Sequence, residues 1–95
     1  MLKFEWSEHK DRINRAKHGI SFVEAQSVFY DEQARQFYDH EHADEEERFV
    51  MLGMSVGLRI LVVVHTVRRN ADVIRIISAR KATRNELKYY TGGTR

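Results

Sequence analysis

Two β-branched runs, residues 60–67 (Ile-Leu-Val-Val-Val-His-Thr-Val) and 73–77 (Val-Ile-Arg-Ile-Ile), flank the polar break Arg68-Arg69-Asn70-Ala71-Asp72. Branched side chains favour a pleated surface, and two such runs around a short polar break predict an antiparallel hairpin. The five successive apolar residues 60–64 predict a strand covered on both faces, hence a central one. Alternation puts Arg59, Leu61, Val63 and His65 on one face and Ile60, Val62, Val64 and Thr66 on the other. In the second run Val73, Arg75 and Ile77 share a face, opposite Ile74 and Ile76.

The other elements arrange around this hairpin. Residues 2–6 read as a short first strand. Ser7 is an N-cap for a helix from Glu8 to about His18, with Glu8 and Asp11 early and Lys17 and His18 late, which suits the macrodipole. Its thin apolar content, Ile13 and Ala16, predicts a surface helix, which Gly19 ends. Ser21-x-x-Glu24 is a capping box with Ile20 and Ala25 as staple. It opens a second helix with the stripe Phe22, Ala25, Val28 and Phe29. Residues 34–38 and 48–54 read as strands, the latter turning through Ser55-Val56-Gly57-Leu58 into the central strand. Thr83-x-x-Glu86 is a second capping box, opening a short helix with Leu87 and Tyr90 inward. The order β-α-α-β-β-β-β-α with short turns is α+β: one domain over residues 1–95, a mainly antiparallel sheet, two N-terminal helices on one face and a short C-terminal helix.

Charge is unevenly spread. Residues 1–58 hold seven Lys/Arg against twelve Asp/Glu, and residues 59–95 hold nine against two. Arginine outnumbers lysine eleven to five, and its fork binds two phosphate oxygens at once, so the basic half predicts a nucleic-acid partner. The absence of cysteine excludes disulfides and thiolate chemistry and suits a cytoplasmic protein. No apolar stretch approaches the ~18 residues of a membrane span, and the N-terminus lacks a signal peptide's apolar core.

Register brings candidate site residues together. With Val56-Gly57 as a two-residue turn, Arg48 falls opposite His65; with the later loop centred on Asn70, His65 falls opposite Arg75. Arg48, His65 and Arg75 then form a row across three strands, ~4.5–5.5 Å apart, which repels itself unless an anion sits among its members. Arg68 and Arg69 crown the loop. Arg80, Lys81 and Arg84 lead into the last helix, whose N-terminal N–H groups also suit an anion. His18, His65 and Glu86 are the acid–base candidates, histidine being the default proton carrier near neutrality. His18 and Lys17 also have an ordinary reading as helix-terminal charge, and Glu86 as a cap. Residues 39–47 (Asp-His-Glu-His-Ala-Asp-Glu-Glu-Glu) read as a solvated acidic loop; a metal on His40 and His42 is the alternative, without a spaced partner motif.

Phe4-Glu5-Trp6, the Lys17-His18-Gly19-Ile20-Ser21-Phe22 corner, Glu47-Arg48-Phe49, Val62-Val63-Val64-His65-Thr66 and Ile74-Arg75-Ile76-Ile77-Ser78-Ala79-Arg80-Lys81-Ala82 together resemble the BrnT family. These are toxins of a bacterial type II toxin–antitoxin system. The resemblance implies a RelE-like fold and a ribosome-independent ribonuclease that arrests growth by cutting RNA. The expected activity is endonucleolytic cleavage through the RNA's own 2′-OH, without a metal or other cofactor; the alternative is a non-catalytic basic module that binds nucleic acid or a protein partner. The resemblance also implies a BrnA-like antitoxin that blocks the toxin in a heterotetramer and carries the contact with operator DNA. Carried over by position are Lys17, His18, Arg48, Arg68, Arg75, Arg80 and Glu86.

Overall fold

The two β-branched runs pair with each other, and three further strands extend the sheet on either side. A computed structural model describes residues 2–40, 47–68 and 72–92. In chain order the elements are β1 (Lys3–Glu5), α1 (Glu8–His18), α2 (Phe22–Gln26), a 3-10 turn (Ser27–Tyr30), β2 (Arg35–Tyr38), β3 (Arg48–Met54), β4 (Ile60–Arg68), β5 (Val73–Lys81) and α3 (Arg84–Tyr90). The strands form one sheet in the order β1-β5-β4-β3-β2, with β1 parallel to β5 and the other pairs antiparallel. The class is α+β, and β4 is the central strand. No helix among the described residues is long and apolar enough to cross a membrane.

One face of the sheet carries the core. Leu61 and Val63 of β4 and Ile76 and Ala79 of β5 pack against Ile20, Phe22, Ala25 and Val28, all essentially inaccessible to solvent. The Ser21 hydroxyl accepts the Glu24 N–H and starts α2. The Glu24 carboxylate, however, does not close the capping box: it reaches the β3–β4 turn, accepting from Arg59 Nε and Nη2 (2.9 and 2.7 Å) and from the Ser55 hydroxyl (2.6 Å). Gly53 lets the 3-10 turn lie directly on β3, since a Cβ there would stand 2.8 Å from Val28 Cγ1.

α1 turns a different side inward from the one its apolar residues predict. Ile13 is 51% exposed, while Asp11 and Asn14 are 7% and 6% exposed. The Asp11 carboxylate accepts the Phe22 N–H at 2.8 Å, satisfying a free donor at the start of α2. Asn14 donates to the Ile20 and Ala79 carbonyls, both at 2.8 Å, and accepts the Ala79 N–H at 3.1 Å. Because β1 pairs with β5 only alongside residues 73–75, the outer edge of β5 has no strand beside it at Ala79. The Asn14 carboxamide takes that place and satisfies both backbone groups. α1 is thus held by hydrogen bonds at polar positions, which a search for an apolar stripe passes over. Leu87 of α3, read as inward, is likewise 38% exposed.

Both hairpins differ by one residue from the expected register. The β3–β4 turn has three residues, Val56, Gly57 and Leu58; Leu58 N–H bonds to the Ser55 carbonyl and Ser55 N–H to the Arg59 carbonyl (both 2.9 Å). Leu58 takes the left-handed φ of 62° that such a turn needs at its last position, although it is not glycine. Arg48 therefore pairs with Thr66, not with His65. Across the next hairpin Arg68 pairs with Val73 and Thr66 with Arg75. The two slips act in the same direction, so Arg48 and Arg75 still flank one residue of β4, but that residue is Thr66.

Replacing Asn14 by Ala leaves the Ala79 edge unsatisfied and should cost about 2–4 kcal/mol of unfolding free energy. Ile13→Ala should be nearly neutral. Equal losses in chemical denaturation would remove the role given to Asn14.

Candidate functional site

Residues directly opposite in a ladder share a face, so register assigns the functional side chains. The face away from α2 carries Arg48 of β3, Thr66 and Arg68 of β4, Arg75, Ser78 and Arg80 of β5, and Glu5 of β1. Arg75 and Arg80 are five residues apart, and a regular strand would point them to opposite faces. Between Val64 and His65 the register shifts: Val64 pairs with Ser78 and His65 with Ile76. Ile77 is thus an extra residue, a β-bulge that reverses the alternation and brings both arginines to the open face.

Arg48, Thr66, Arg75 and Glu5 stand in a row across four strands. Glu5 Oε2 lies 3.1 Å from Arg68 Nη2 and accepts from Arg75 Nη1 at 3.4 Å. Arg68 and Arg75 thus share the Glu5 carboxylate. Arg48 Nε is buried and has no hydrogen-bond partner among the described residues. A buried, unpaired N–H on a cation is expensive unless an acceptor comes to it.

A second cationic site lies further along the same face, at Val62↔Arg80. Arg80 donates from Nη1 and Nη2 to the two oxygens of Glu86, each at 2.8 Å. Glu86 also accepts the Thr83 N–H at 2.8 Å while its own N–H donates to the Thr83 hydroxyl at 3.2 Å, completing the capping box that opens α3. The Arg80 hydrogen bonds, followed by those of Thr83, hold the Glu86 carboxyl down at about 2 against the opposing effect of burial. Glu86 is thus an ionised clamp on Arg80 and a poor proton acceptor.

Ser78 lies between the two cationic groups and also borders a recess of about 280 Å³ at the outer edge of β5, lined by Lys10, Ile13, Asn14, Lys17, His18 and Ile77. The Asn14 contact to Ala79 sets α1 along this edge and so brings Lys17 and His18 beside β5. Lys81 and Arg84 are exposed at the passage into α3. Arg69 and His42 lie outside the described residues, as does most of the acidic run. His40 meets the ring of Tyr38 edge to face at 4.6 Å. Among the described residues no group of three His, Asp or Glu could hold a metal ion.

His65 does not join the arginines. The one-residue slip turns it to the core face, where it is fully buried between Phe29 (4.7 Å, edge to face) and Phe49 (5.9 Å, stacked). Nδ1 donates to the Val63 carbonyl at 3.2 Å, and Nε2 faces the Gln36 amide at 3.3 Å. Burial pushes its pKa down to about 4, so at neutral pH it is an uncharged core residue. Thr66, Ser78 and Glu5 are polar neighbours of the arginines that sequence reasoning passes over. Glu5 stood in a quoted motif, but only the parallel pairing of β1 with β5 shows what it faces.

Residues 6–86 match the family model described as the ribonuclease toxin BrnT of type II toxin–antitoxin systems. The chain belongs to the BrnT family. Its fold is similar to the 1.1 Å crystal structure of the Brucella abortus ribonuclease toxin BrnT, with a TM-score of 0.65 and 26% identity over 88% of this chain and 100% of that one. No curated protein matches the chain in sequence. Membership in the BrnT family makes this a toxin of the ribonuclease class with an antitoxin as its partner.

Two pH dependences follow. The His65 pKa is lower folded (about 4) than unfolded (6.5), so the unfolded chain binds the extra proton and stability should fall as pH drops from 6.5 towards 4. The loss should be on the order of 3 kcal/mol, and urea unfolding of His65→Leu should lack it. Glu86 is also depressed, from 4.5 to about 2, so its contribution is present above 4.5 and is lost as pH falls through 2. Glu86→Gln should be less stable than the parent at pH 7, with the gap narrowing across that window; a constant gap would deny the ionised clamp.

Proposed function

We propose that the open face cleaves RNA internally, without the ribosome and without a metal, by attack of the RNA's own 2′-OH. The observation that carries this reading is the row Arg48–Thr66–Arg75, where Arg75 shares the Glu5 carboxylate with Arg68 and Arg48 Nε is buried with no hydrogen-bond partner among the described residues. A scissile phosphate on this row neutralises the arginines and supplies the missing acceptor. Arg75 and Arg48 stabilise the charge that builds on the non-bridging oxygens, and Arg68 joins them at the loop end. Arg80, held in place by Glu86, takes a neighbouring phosphate, and Lys81 and Arg84, with Arg69 by the sequence reading, extend the track.

With His65 in the core, the reading takes its proton carriers from the recess beside Ser78, which an imidazole and an ammonium line. His18 takes the proton of the 2′-OH as its oxygen bonds to phosphorus. The bond from phosphorus to the 5′ oxygen breaks, and Lys17 returns a proton to that leaving oxygen. The products are a 2′,3′-cyclic phosphate and a free 5′-OH. Glu86 is a positioning residue here, acting through Arg80. The resemblance supports a BrnA-like antitoxin in a heterotetramer, operator DNA contacted through that antitoxin, and action in the cytoplasm.

The test is purified, antitoxin-free protein with a defined RNA in EDTA, with the product ends mapped. Cutting should persist in chelator and leave cyclic phosphate ends. Arg75→Ala should lose about 10²–10³ in rate while unfolding as the parent does. RNA bound but left intact by the parent, or cutting only with added metal, would overturn the reading.

A further inference from the structure

α3 lies against the open face at its Val62 end and leaves a groove of about 290 Å³ lined by Phe37, Val50, Leu52, Val62, Glu86 and Tyr89. Its walls are held from both sides. Arg35 Nη1 donates to the Tyr89 carbonyl at 3.0 Å, Tyr90 donates its hydroxyl proton to Asp31 at 2.7 Å, and Arg80 grips Glu86. The Phe37 and Tyr89 rings meet edge to face at 6.2 Å and remain 39% and 52% exposed.

The chemistry of this groove differs from that of the arginine row beside it. Phe37, Val50, Leu52 and Val62 offer no side-chain hydrogen bond, and the Glu86 carboxylate is ionised and already bound by Arg80 and Thr83. A nucleobase placed here would leave polar edges without partners along the apolar floor, which costs free energy. Apolar protein side chains meet no such difficulty. On β3 the groove residue Val50 is followed, one step along the same face, by Arg48. On β4, Val62 is followed by Val64 and then Thr66, beside Arg75. Successive residues on one face of a strand are separated by ~7 Å, so a single short segment spans from the groove to the arginines.

We propose that this groove is the docking site for the antitoxin. The segment that fills it presents apolar side chains to Phe37, Leu52, Val62 and Tyr89 and carboxylates to Arg48 and Arg75. The family supplies the partner, and the charge next to the groove sets its chemistry: an apolar anchor followed by an acidic stretch. The acidic half of the inference rests on the reading of the arginine row as the RNA site, because it makes antitoxin and RNA compete there. The apolar half does not depend on that reading.

The experiment titrates the purified antitoxin of the same operon into the toxin by calorimetry, with no RNA present, and measures RNA cleavage separately. Tyr89→Ala should weaken antitoxin binding by about thirtyfold or more, as loss of a central aromatic anchor does, and leave cleavage by the free toxin unchanged. An unaltered Kd overturns the proposal. So does loss of cleavage with antitoxin binding intact, which would give the groove to a nucleobase. Should Tyr89→Ala fail to fold, a photoreactive benzoylphenylalanine at position 89 must crosslink to the antitoxin; a complex that forms without the crosslink overturns the proposal. A parent toxin inert toward RNA that still loses antitoxin affinity on Tyr89→Ala refutes the arginine-row reading alone.

Discussion

A β-strand alternates its side chains with a period of two, so two residues an odd number apart cannot share a face of a regular strand. Arg75 and Arg80 are such a pair, and the Ile77 bulge removes the conflict. It also keeps Ile74, Ile76 and Ala79 on the core face while Arg75, Ser78 and Arg80 point the other way. Without it, one set of arginines or one set of core residues would be on the wrong side. Bulges commonly mark the places where a strand re-aims a side chain, and here a single extra residue reconciles a packed core with a cationic face.

Polar contacts set the rest of that face. Asn14 acts as a substitute strand for the edge of β5 at Ala79, and Asp11 ties α1 to the start of α2. Those bonds determine where the end of α1 lies and hence why Lys17 and His18 border Ser78. Glu86 serves two hydrogen-bonding roles at once, closing the cap of α3 and gripping Arg80. The placement of the open face thus depends on side chains that lie outside it. Neutral His65, stacked on Phe49 beneath this face, belongs to the supporting core.

Much of the fold was legible because it rests on local signals. Branched residues in 60–67 and 73–77 marked the central hairpin, and the Phe22, Ala25, Val28 stripe marked the core helix. Thr83 and Glu86 marked the start of the last helix. The arginine row is legible in part: the sequence places Arg48 and Arg75 across one residue of β4, but that residue is Thr66 and not the expected His65. The difference comes from the turns. A three-residue loop with a left-handed Leu58 reads in sequence like a two-residue turn, since nothing local announces a non-glycine residue at positive φ. The buried side of α1 escapes the sequence for a related reason: hydrophobic periodicity detects apolar contact, and this side is Asp11 and Asn14.

The sequence by itself determined the kinds of element and their order, the concentration of arginine in the second half of the chain, and the family, because these depend on residue type and on neighbours a few positions apart. Tertiary structure decided the faces. Which side of β4 holds Thr66 and which holds His65, the reunion of Arg75 with Arg80, the pairing of Glu5 with Arg68 and Arg75, and the groove beneath α3 all follow from register, a bulge and a parallel edge strand. Each of these is a long-range pairing in which a shift of one residue reverses every side chain, and local sequence carries little information about such a shift.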